Sequence, residues 1–310
     1  MIYRPPARAA GTFAEGDNLA VQSETAAGTV PRIRRPMRGL SPAEMWGLAM
    51  LAPYLVLFAA FVLYPVVYGL WLAREPQTYV DLAADPIFLR TVFNTIIFLV
   101  VAINIKMLLA LLLSGFFIKA RWWIRILGLI FILPWALPSI PTILAVRFML
   151  NPEWGIVNST IFKLTLQDGP NWLNDPTLGL SLAMVTHIWK ALPFWTLTLI
   201  AGRLAISAEL YEAASIDGAS NLQKFRFITW PAIGTLYITC SLLSTMWTLG
   251  DFNSVYLLTG GGPADLTHVL ATLGIRYLRL DQVDMYMAAV VCTLPVMVPI
   301  IYFMMRRLSK

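Results

Sequence analysis

The sequence predicts an all-α integral membrane protein with six transmembrane helices. The chain of 310 residues is 58% hydrophobic and only 13% charged, and its mean hydropathy is +0.69. A soluble domain is rarely so apolar. The apolar residues also fall into long uncharged runs, and a bilayer core requires roughly 20 helical residues. Six runs reach that length if one lysine is tolerated inside each of two of them.

The first segment differs from the rest of the chain. Residues 1–43 are rich in Pro, Gly, Ala and Ser and carry little apolar mass, so we expect a mobile cytoplasmic tail. The first apolar run begins too late and is too long for a cleavable signal peptide. We expect residues 44–310 to form the membrane domain. Its predicted helices cover residues 45–73, 90–118, 124–149, 177–202, 230–258 and 284–305.

Three of these helices carry unusual residues. Lys106 interrupts the second run, and we expect its long stem to reach toward the cytoplasmic face. The third helix contains Pro134, Pro138 and Pro141, so we expect it to be kinked or locally unwound where neighbours can satisfy the freed backbone groups. Lys190 interrupts the fourth run.

The basic residues predict the orientation. Fifteen of the 23 lysines and arginines lie in the two terminal segments, in 117–125 and in 203–226, whereas five lie in the opposite connections. Positive residues favour the cytoplasmic side, so both termini are expected there. The net charge of +6 reflects this asymmetry, and we expect no nucleic-acid partner.

The cytoplasmic segment 203–230 has the pattern of a helix, an elbow and a second helix. Ser207 is a suitable N-cap, and Gly218 can adopt the positive φ of a C-cap. Ser220, with a glutamine three residues later, forms a capping-box pattern. Pro231 disfavours helix at the residue before it, so we expect the chain to re-enter the membrane there.

This segment resembles the cytoplasmic loop of membrane subunits in binding-protein-dependent ABC importers. The family pattern is E-A-A, three residues, G, nine residues, I, one residue, L-P. The matching residues are Glu212, Ala213, Ala214, Gly218, Ile228 and Pro231, and Trp230 replaces the leucine. Asn94-Thr95 and the stretch from Tyr256 to Pro263 add to the resemblance, which points to the maltose and glycerol-3-phosphate branch.

The resemblance implies a type I ABC importer permease with the MetI-like fold, in the inner (plasma) membrane of a bacterial cell. It implies a heterodimer with a second homologous permease, an ATPase dimer and an extracytoplasmic solute-binding protein. ATP and Mg²⁺ would be bound by the ATPase. The residues implied to couple to that ATPase are Glu212, Ala213, Ala214, Asp217 and Gly218.

Sequence motifs for catalysis are missing from the chain. It has no G-x-x-x-x-G-K-[ST] phosphate loop, no H-E-x-x-H, no paired CxxC and no G-x-S-x-G. Its only histidines are His187 and His268, too few for a histidine-based metal site. We therefore expect no catalytic residue, bound cofactor or metal site, and we expect that the chain is not an enzyme.

Polar and aromatic residues share helical faces in the fourth and fifth helices. The candidates for a solute path are His187, Lys190, Ala191 and Phe194 on one helix and Ser244, Trp247, Thr248 and Asp251 on the other. Hydroxyl-bonding groups beside flat rings suit a sugar. The resemblance also implies a contact with substrate, because the corresponding helices carry the substrate-contacting residues in the larger membrane subunit of the maltose importer. The alternative is structural: Asp251 caps or pairs near its helix end, and Lys190 neutralises a neighbouring carboxylate or carbonyl.

We therefore interpret the chain as a permease subunit that passes a sugar or sugar-like solute. The alternative is a subunit of an ion-coupled secondary carrier, which would favour midplane acids and repeated halves. A membrane scaffold without transport is a second alternative, which the polar faces disfavour.

Overall fold

The computed structural model describes residues 41–119 and 121–308, and this part of the chain is helical and contains no strand. The predicted tail lies outside the described residues except for 41–43. The helices before the first long loop are α1 (Pro42–Phe58), α2 (Tyr64–Leu72), α3 (Pro76–Ala84), α4 (Pro86–Phe117), α5 (Trp122–Ala136), α6 (Ser139–Met149) and α7 (Ile156–Thr165). Those that follow are α8 (Pro176–Leu204), α9 (Ala208–Ile216), α10 (Asn221–Lys224), α11 (Trp230–Leu249), α12 (Asn253–Thr259), α13 (Leu270–Arg279), α14 (Val283–Val291) and α15 (Leu294–Leu308).

The described residues divide into two compact units, one that ends at Leu57 and one that begins at Phe58. In the first unit, every side chain described from Met45 onward is exposed, as expected for an apolar helix surrounded by lipid. The second unit holds the remaining helices and the packed core.

Four helices are long and apolar enough to cross a membrane: Met45–Leu72, Pro86–Phe117, Asn221–Thr259 and Val283–Arg306. Two bent pairs also qualify, α5 with α6 and α8 with α9, which brings the number to six if each pair is one span. The all-helical membrane fold is therefore confirmed.

The core of the second unit is built on α4 and α8, which pack along each other. Phe98 and Ala102 of α4 meet Ala183 of α8 in one buried cluster, and Met107 meets Trp195 in a second. A third cluster joins α3, α13 and α14 through Leu82, Leu273, Tyr277, Ala288 and Ala289. The small residues let the helices approach closely, as membrane helices require.

The third span is broken. The axes of α5 and α6 differ by 98°, and Leu137 and Pro138 between them have extended backbone. Pro138 cannot continue the helix because it lacks an N–H group and restricts the residue before it. The kink predicted from the three prolines is confirmed.

The segment after α8 forms the predicted elbow. The chain turns by 69° into α9, the Ser207 hydroxyl accepts a hydrogen bond from the Glu209 N–H, and Gly218 has a φ of +74°. Ser220 and Gln223 make both bonds of the capping box. These local predictions are confirmed.

The predicted helix break at Trp230 is wrong. A π-helical turn, Phe225–Thr229, runs directly into α11, and Trp230 has helical φ and ψ. Pro231 directly follows this wider turn and lies in the first turn of α11, a position where a proline is tolerated although it has no N–H to donate.

A glycine turn ends α12 at its C-terminus. Gly260 and Gly261 have φ values of +66° and +89°, and a Cβ on Gly261 would collide with the His268 ring. The Asn94 amide donates to the carbonyls of Leu266 and His268 at 2.8 and 3.0 Å. The asparagine on α4 therefore fixes the loop that follows the glycines.

Candidate functional site

A cavity of about 390 Å³ lies among α5, α6, α8 and the α11–α12 junction. The helix break at Pro138 opens space beside α8, which supplies the opposite wall. Six of the eight residues predicted for the solute path line this cavity: His187, Lys190, Ala191, Phe194, Trp247 and Asp251. The structure thus brings together residues that are separated by up to 64 positions in the chain.

His187 is the centre of a buried chain of polar groups. Its Nδ1 lies 2.5 Å from Asp251 Oδ2, and its Nε2 lies 2.9 Å from Lys106 Nζ. An ammonium has no lone pair, so Lys106 donates to Nε2 and His187 donates from Nδ1 to the carboxylate. This assigns one neutral tautomer to the ring from its partners.

The expectation that Lys106 reaches the cytoplasmic face is wrong. Only 1% of the residue is exposed, and it bonds His187 and the Thr248 hydroxyl, the latter at 3.1 Å. A buried charge is stable only when it is paired, and Asp251 supplies the opposite charge through the imidazole.

Thr248 and Ser244 lie behind the cavity wall. Thr248 is 4% exposed, accepts from Lys106 and donates to the Ser244 carbonyl at 2.7 Å. Ser244 is fully buried. Thr248 therefore supports the charged chain, and neither side chain lines the cavity.

Lys190 binds the broken helix. Its Nζ donates to the Pro134 and Leu137 carbonyls at 2.9 and 2.7 Å. Those carbonyls lie at the C-terminal end of α5, where backbone acceptors lack helical partners and the dipole favours a cation. The structural role considered for Lys190 is thus present, although the side chain also lines the cavity.

Aromatic rings form one wall. Phe194 lies 5.3 Å from Trp247 and 5.7 Å from Trp135 between ring centroids, and Trp195 lies 5.4 Å from Trp247. Trp247 is 53% exposed. The site therefore combines hydrogen-bonding groups with flat apolar faces in one cavity.

The predicted coupling residues lie on an open surface formed by α9 and the elbow. Glu212, Ala213, Asp217 and Gly218 are exposed, and Ala214 is partly buried. Large apolar side chains stand beside them, with Ile216 87% and Leu222 75% exposed. Tyr211 and Thr229 share a hydrogen bond of 2.8 Å that ties α9 to the π-helical turn.

A polar network joins α4 to α13 at the end of the bundle away from this surface. Asp85 caps α4 through the Ile87 N–H and receives bonds from Arg276 at 2.6 Å and Tyr277 at 3.0 Å. Burial opposes ionisation of Asp85, but these hydrogen bonds and the Arg276 charge outweigh it and lower its pKa. Burial, then the bond to Asp85, raises the pKa of Tyr277.

Several residues that line the cavity were not predicted from the sequence. Trp135 and Ser139 enter it because the third span breaks, and Asn253 and Ser254 enter because α12 begins just after Asp251. Lys106 could have been found, since an isolated lysine and an isolated aspartate inside apolar runs each require a counter-charge. Among the described residues, no cluster of His, Cys, Asp or Glu could hold a metal.

An open polar and aromatic cavity lined by membrane helices is the kind of site expected in a membrane transport subunit. The chain belongs to the family of binding-protein-dependent transport system inner membrane components, which matches residues 47–310. This membership favours an ABC importer permease over an ion-coupled carrier.

Curated relatives cover most of the chain. The trehalose/maltose transport system permease protein MalF of Thermococcus litoralis is 31% identical over 252 residues, 76% of this chain and 84% of the relative. The sulfoquinovosyl glycerol transport system permease protein SmoG of Agrobacterium fabrum is 30% identical, over 72% of this chain and 76% of the relative.

Solved structures show the same fold. A chain of a bacterial alginate ABC transporter, in complex with an alginate pentasaccharide-bound periplasmic protein, matches with a TM-score of 0.74 at 22% identity. The match covers 86% of this chain and 96% of that one. A second structure of an alginate-importing transporter gives a TM-score of 0.72 at 23% identity.

Proposed function

We propose that the chain forms part of the translocation path for a sugar or sugar-like solute in an ATP-driven importer. The cavity carries this proposal: Asp251, His187 and Lys190 line it together with the rings of Phe194 and Trp247. Sugars offer hydroxyls to hydrogen-bonding groups and an apolar ring face to aromatic rings. Relatives whose names specify trehalose, maltose and sulfoquinovosyl glycerol support the solute class.

The partners follow from the family and from the exposed elbow. We infer a second homologous permease, a dimer of ATPase subunits that binds ATP and Mg²⁺, and an extracytoplasmic solute-binding protein. Ile216 and Leu222 support the docking of a protein at the elbow, because large apolar side chains so exposed mark interaction surfaces. Glu212, Ala213, Ala214, Asp217 and Gly218 would lie in that contact.

Two helices connect the docking surface to the cavity. α8 carries His187 and Lys190 and leads into α9, whereas α11 begins at the elbow and carries Trp247. Because helices move as rigid elements, a displacement of the elbow by the ATPase would move both cavity walls. The bond between Tyr211 and Thr229 would keep the two helical arms moving together.

The proposed orientation places the elbow and both termini in the cytoplasm. The excess of lysine and arginine in 117–125 and 203–226 supports it. The loops at 150–175 and 260–280 would then face the solute-binding protein.

The test is reconstitution. The chain, its second permease and the ATPase are placed in proteoliposomes with the solute-binding protein, and uptake of labelled sugar is measured. We expect uptake that requires ATP and a loaded binding protein. Uptake without ATP, driven by a proton or sodium gradient, would instead establish the ion-coupled carrier.

A further inference from the structure

The charges around the cavity do not balance. Asp251 is compensated: one carboxylate oxygen pairs with His187 at 2.5 Å and the other accepts the Ser254 N–H at 3.1 Å. Behind His187, the Lys106 ammonium supplies the positive charge that matches this carboxylate. The three groups are therefore neutral as a set.

Lys190 is the remaining charge on the wall. No ion pair within 4.0 Å involves it in the part of the chain that the structure describes. Its two bonds are to the neutral carbonyls of Pro134 and Leu137, which leaves one N–H of the ammonium without a partner there. The residue is partly exposed and lines the cavity.

A cation without a counter-ion is costly inside a membrane protein, even where a helix C-terminus favours it, and such residues commonly mark substrate or ion pathways. An anionic group entering the cavity would find the free N–H of Lys190 and a charge that water does not fully screen. The same solute could rest on Phe194, which lies one helical turn after Lys190 on α8.

We propose that this cavity selects sugars that carry an acidic group, a carboxylate, sulfonate or phosphate, and that Lys190 is the specificity-determining residue. The inference rests on the proposed function and narrows its solute class. The ring of the sugar lies against Trp247 and Phe194, its hydroxyls reach Asp251 and Ser254, and its anionic group binds the Lys190 ammonium.

The experiment measures binding to the complex of permeases and ATPase in nanodiscs without the solute-binding protein, which has a selectivity of its own. Quenching of tryptophan fluorescence reports occupancy, since Trp135, Trp195 and Trp247 line the cavity. The matched probes are cellobiouronic acid and cellobiose, and methyl glucoside with its 6-carboxylate, 6-sulfonate and 6-phosphate counterparts. The last three distinguish among the anions.

The variants are Lys190→Gln, Lys190→Arg and Arg147→Gln. Glutamine keeps donors for the Pro134 and Leu137 carbonyls but removes the charge, and arginine keeps the charge. Arg147 is the control, because it also donates to a carbonyl, that of Leu257, but does not line this cavity.

We expect acidic probes to bind more tightly than their neutral partners. Lys190→Gln should weaken acidic probes on the order of 10- to 100-fold, as for loss of a charge-assisted bond, and leave neutral ones nearly unchanged. Lys190→Arg and Arg147→Gln should keep the preference. Neutral probes that bind as tightly as acidic ones, or an equal loss of both in Lys190→Gln, overturn the inference and leave the sugar permease intact. If the complex neither binds nor takes up any sugar, the proposed solute class itself is overturned.

Discussion

The side chains of His187 and Asp251 meet at 2.5 Å, which joins the middle of α8 to the end of α11. Lys106 of α4 bonds the other ring nitrogen of His187. One chain of hydrogen bonds therefore links α4, α8 and the end of α11. The stability of the cavity and its chemistry therefore depend on the same groups.

Removing one member of this chain should be more harmful than removing both charges. Lys106→Met leaves Asp251 without its counter-charge, which should cost about 3–5 kcal/mol of unfolding free energy. Lys106→Met combined with Asp251→Asn should recover much of that loss. Denaturation of the purified chain in bicelles compares Lys106→Met, Asp251→Asn and the double variant, and additive losses would show that the two charges do not interact.

Transport should depend on Asp251 more than on Ser244. Asp251→Ala removes a carboxylate that lines the cavity, whereas Ser244 is fully buried away from it. The loss of one bond to a charged group is worth about 1.5–3 kcal/mol, so uptake should fall on the order of tenfold or more. Initial uptake rates and assembly of the complex are measured together. Normal transport by both Asp251→Ala and Thr248→Ala would mean that the partner subunit holds the solute.

The aromatic wall should determine which solutes pass. Trp247→Leu removes a flat surface that is 53% exposed and leaves the polar groups in place. We expect a change in relative uptake among sugars, with assembly unchanged. Competition by a panel of sugars against one labelled solute measures their relative uptake. If Trp247→Leu leaves the order of preference among the sugars unchanged, the solute does not contact Trp247.

Gly218 should govern coupling through its backbone. A Cβ there meets no atom within 4 Å, so Gly218→Val is disfavoured by the φ of +74° and not by a collision. Valine in this conformation should cost about 1–2 kcal/mol locally and displace the elbow. We expect Gly218→Val, like Glu212→Lys, to lower solute-stimulated ATP hydrolysis with normal insertion. Gly47→Ala is the matched control, as its added Cβ also meets nothing. Normal uptake by a chain that carries both Gly218→Val and Glu212→Lys would exclude a role of this segment in coupling.

Acid should weaken the network around Asp85. Its pKa is lowered in the folded state, so its stabilisation is complete above the unfolded value of about 3.9 and is lost as pH falls through the folded pKa. Asp85→Asn should lower stability at pH 7 by about 1–3 kcal/mol and flatten this acid dependence. Thermal unfolding from pH 7 to pH 3 tests it. Asp81→Asn, at an exposed carboxylate bonded to Gln77, should leave the profile as in the unsubstituted chain.

His268 should make the stability of the fold fall further as pH is lowered, in addition to the effect of Asp85. Burial lowers its pKa despite the nearby Asp265 carboxylate, so its contribution is complete above the unfolded value of about 6.5 and is lost as pH falls. In the same thermal unfolding experiments, His268→Gln should remove the part of the pH dependence of stability that lies nearest neutral pH.

The orientation can be tested independently of transport. A reporter active only in the cytoplasm should work when fused after residue 310 or inserted in 203–226, and should fail within 150–175 or 260–280. One reversed reporter would contradict the six-span arrangement.

The amino-acid sequence alone was enough to predict the class of fold, the elbow and six of the residues that line the cavity. Length and hydropathy specify membrane helices because lipid offers no partner to an exposed backbone. Capping and glycine φ depend on neighbours in the chain, so Ser207, Gly218 and Ser220 could be interpreted locally. Spacing also placed His187, Lys190 and Phe194 on one helical face.

Which polar groups bond each other depends on how the helices pack. Lys106 and Asp251 are 145 positions apart, and no local pattern relates their directions; only the packing of α4 against α8 and α11 brings both to His187. The same holds for Trp135, which enters the cavity because the third span turns by 98°. Hydropathy is a property of segments, whereas the partner of a buried charge depends on how helices rotate and cross. That rotation is set by packing over the whole bundle.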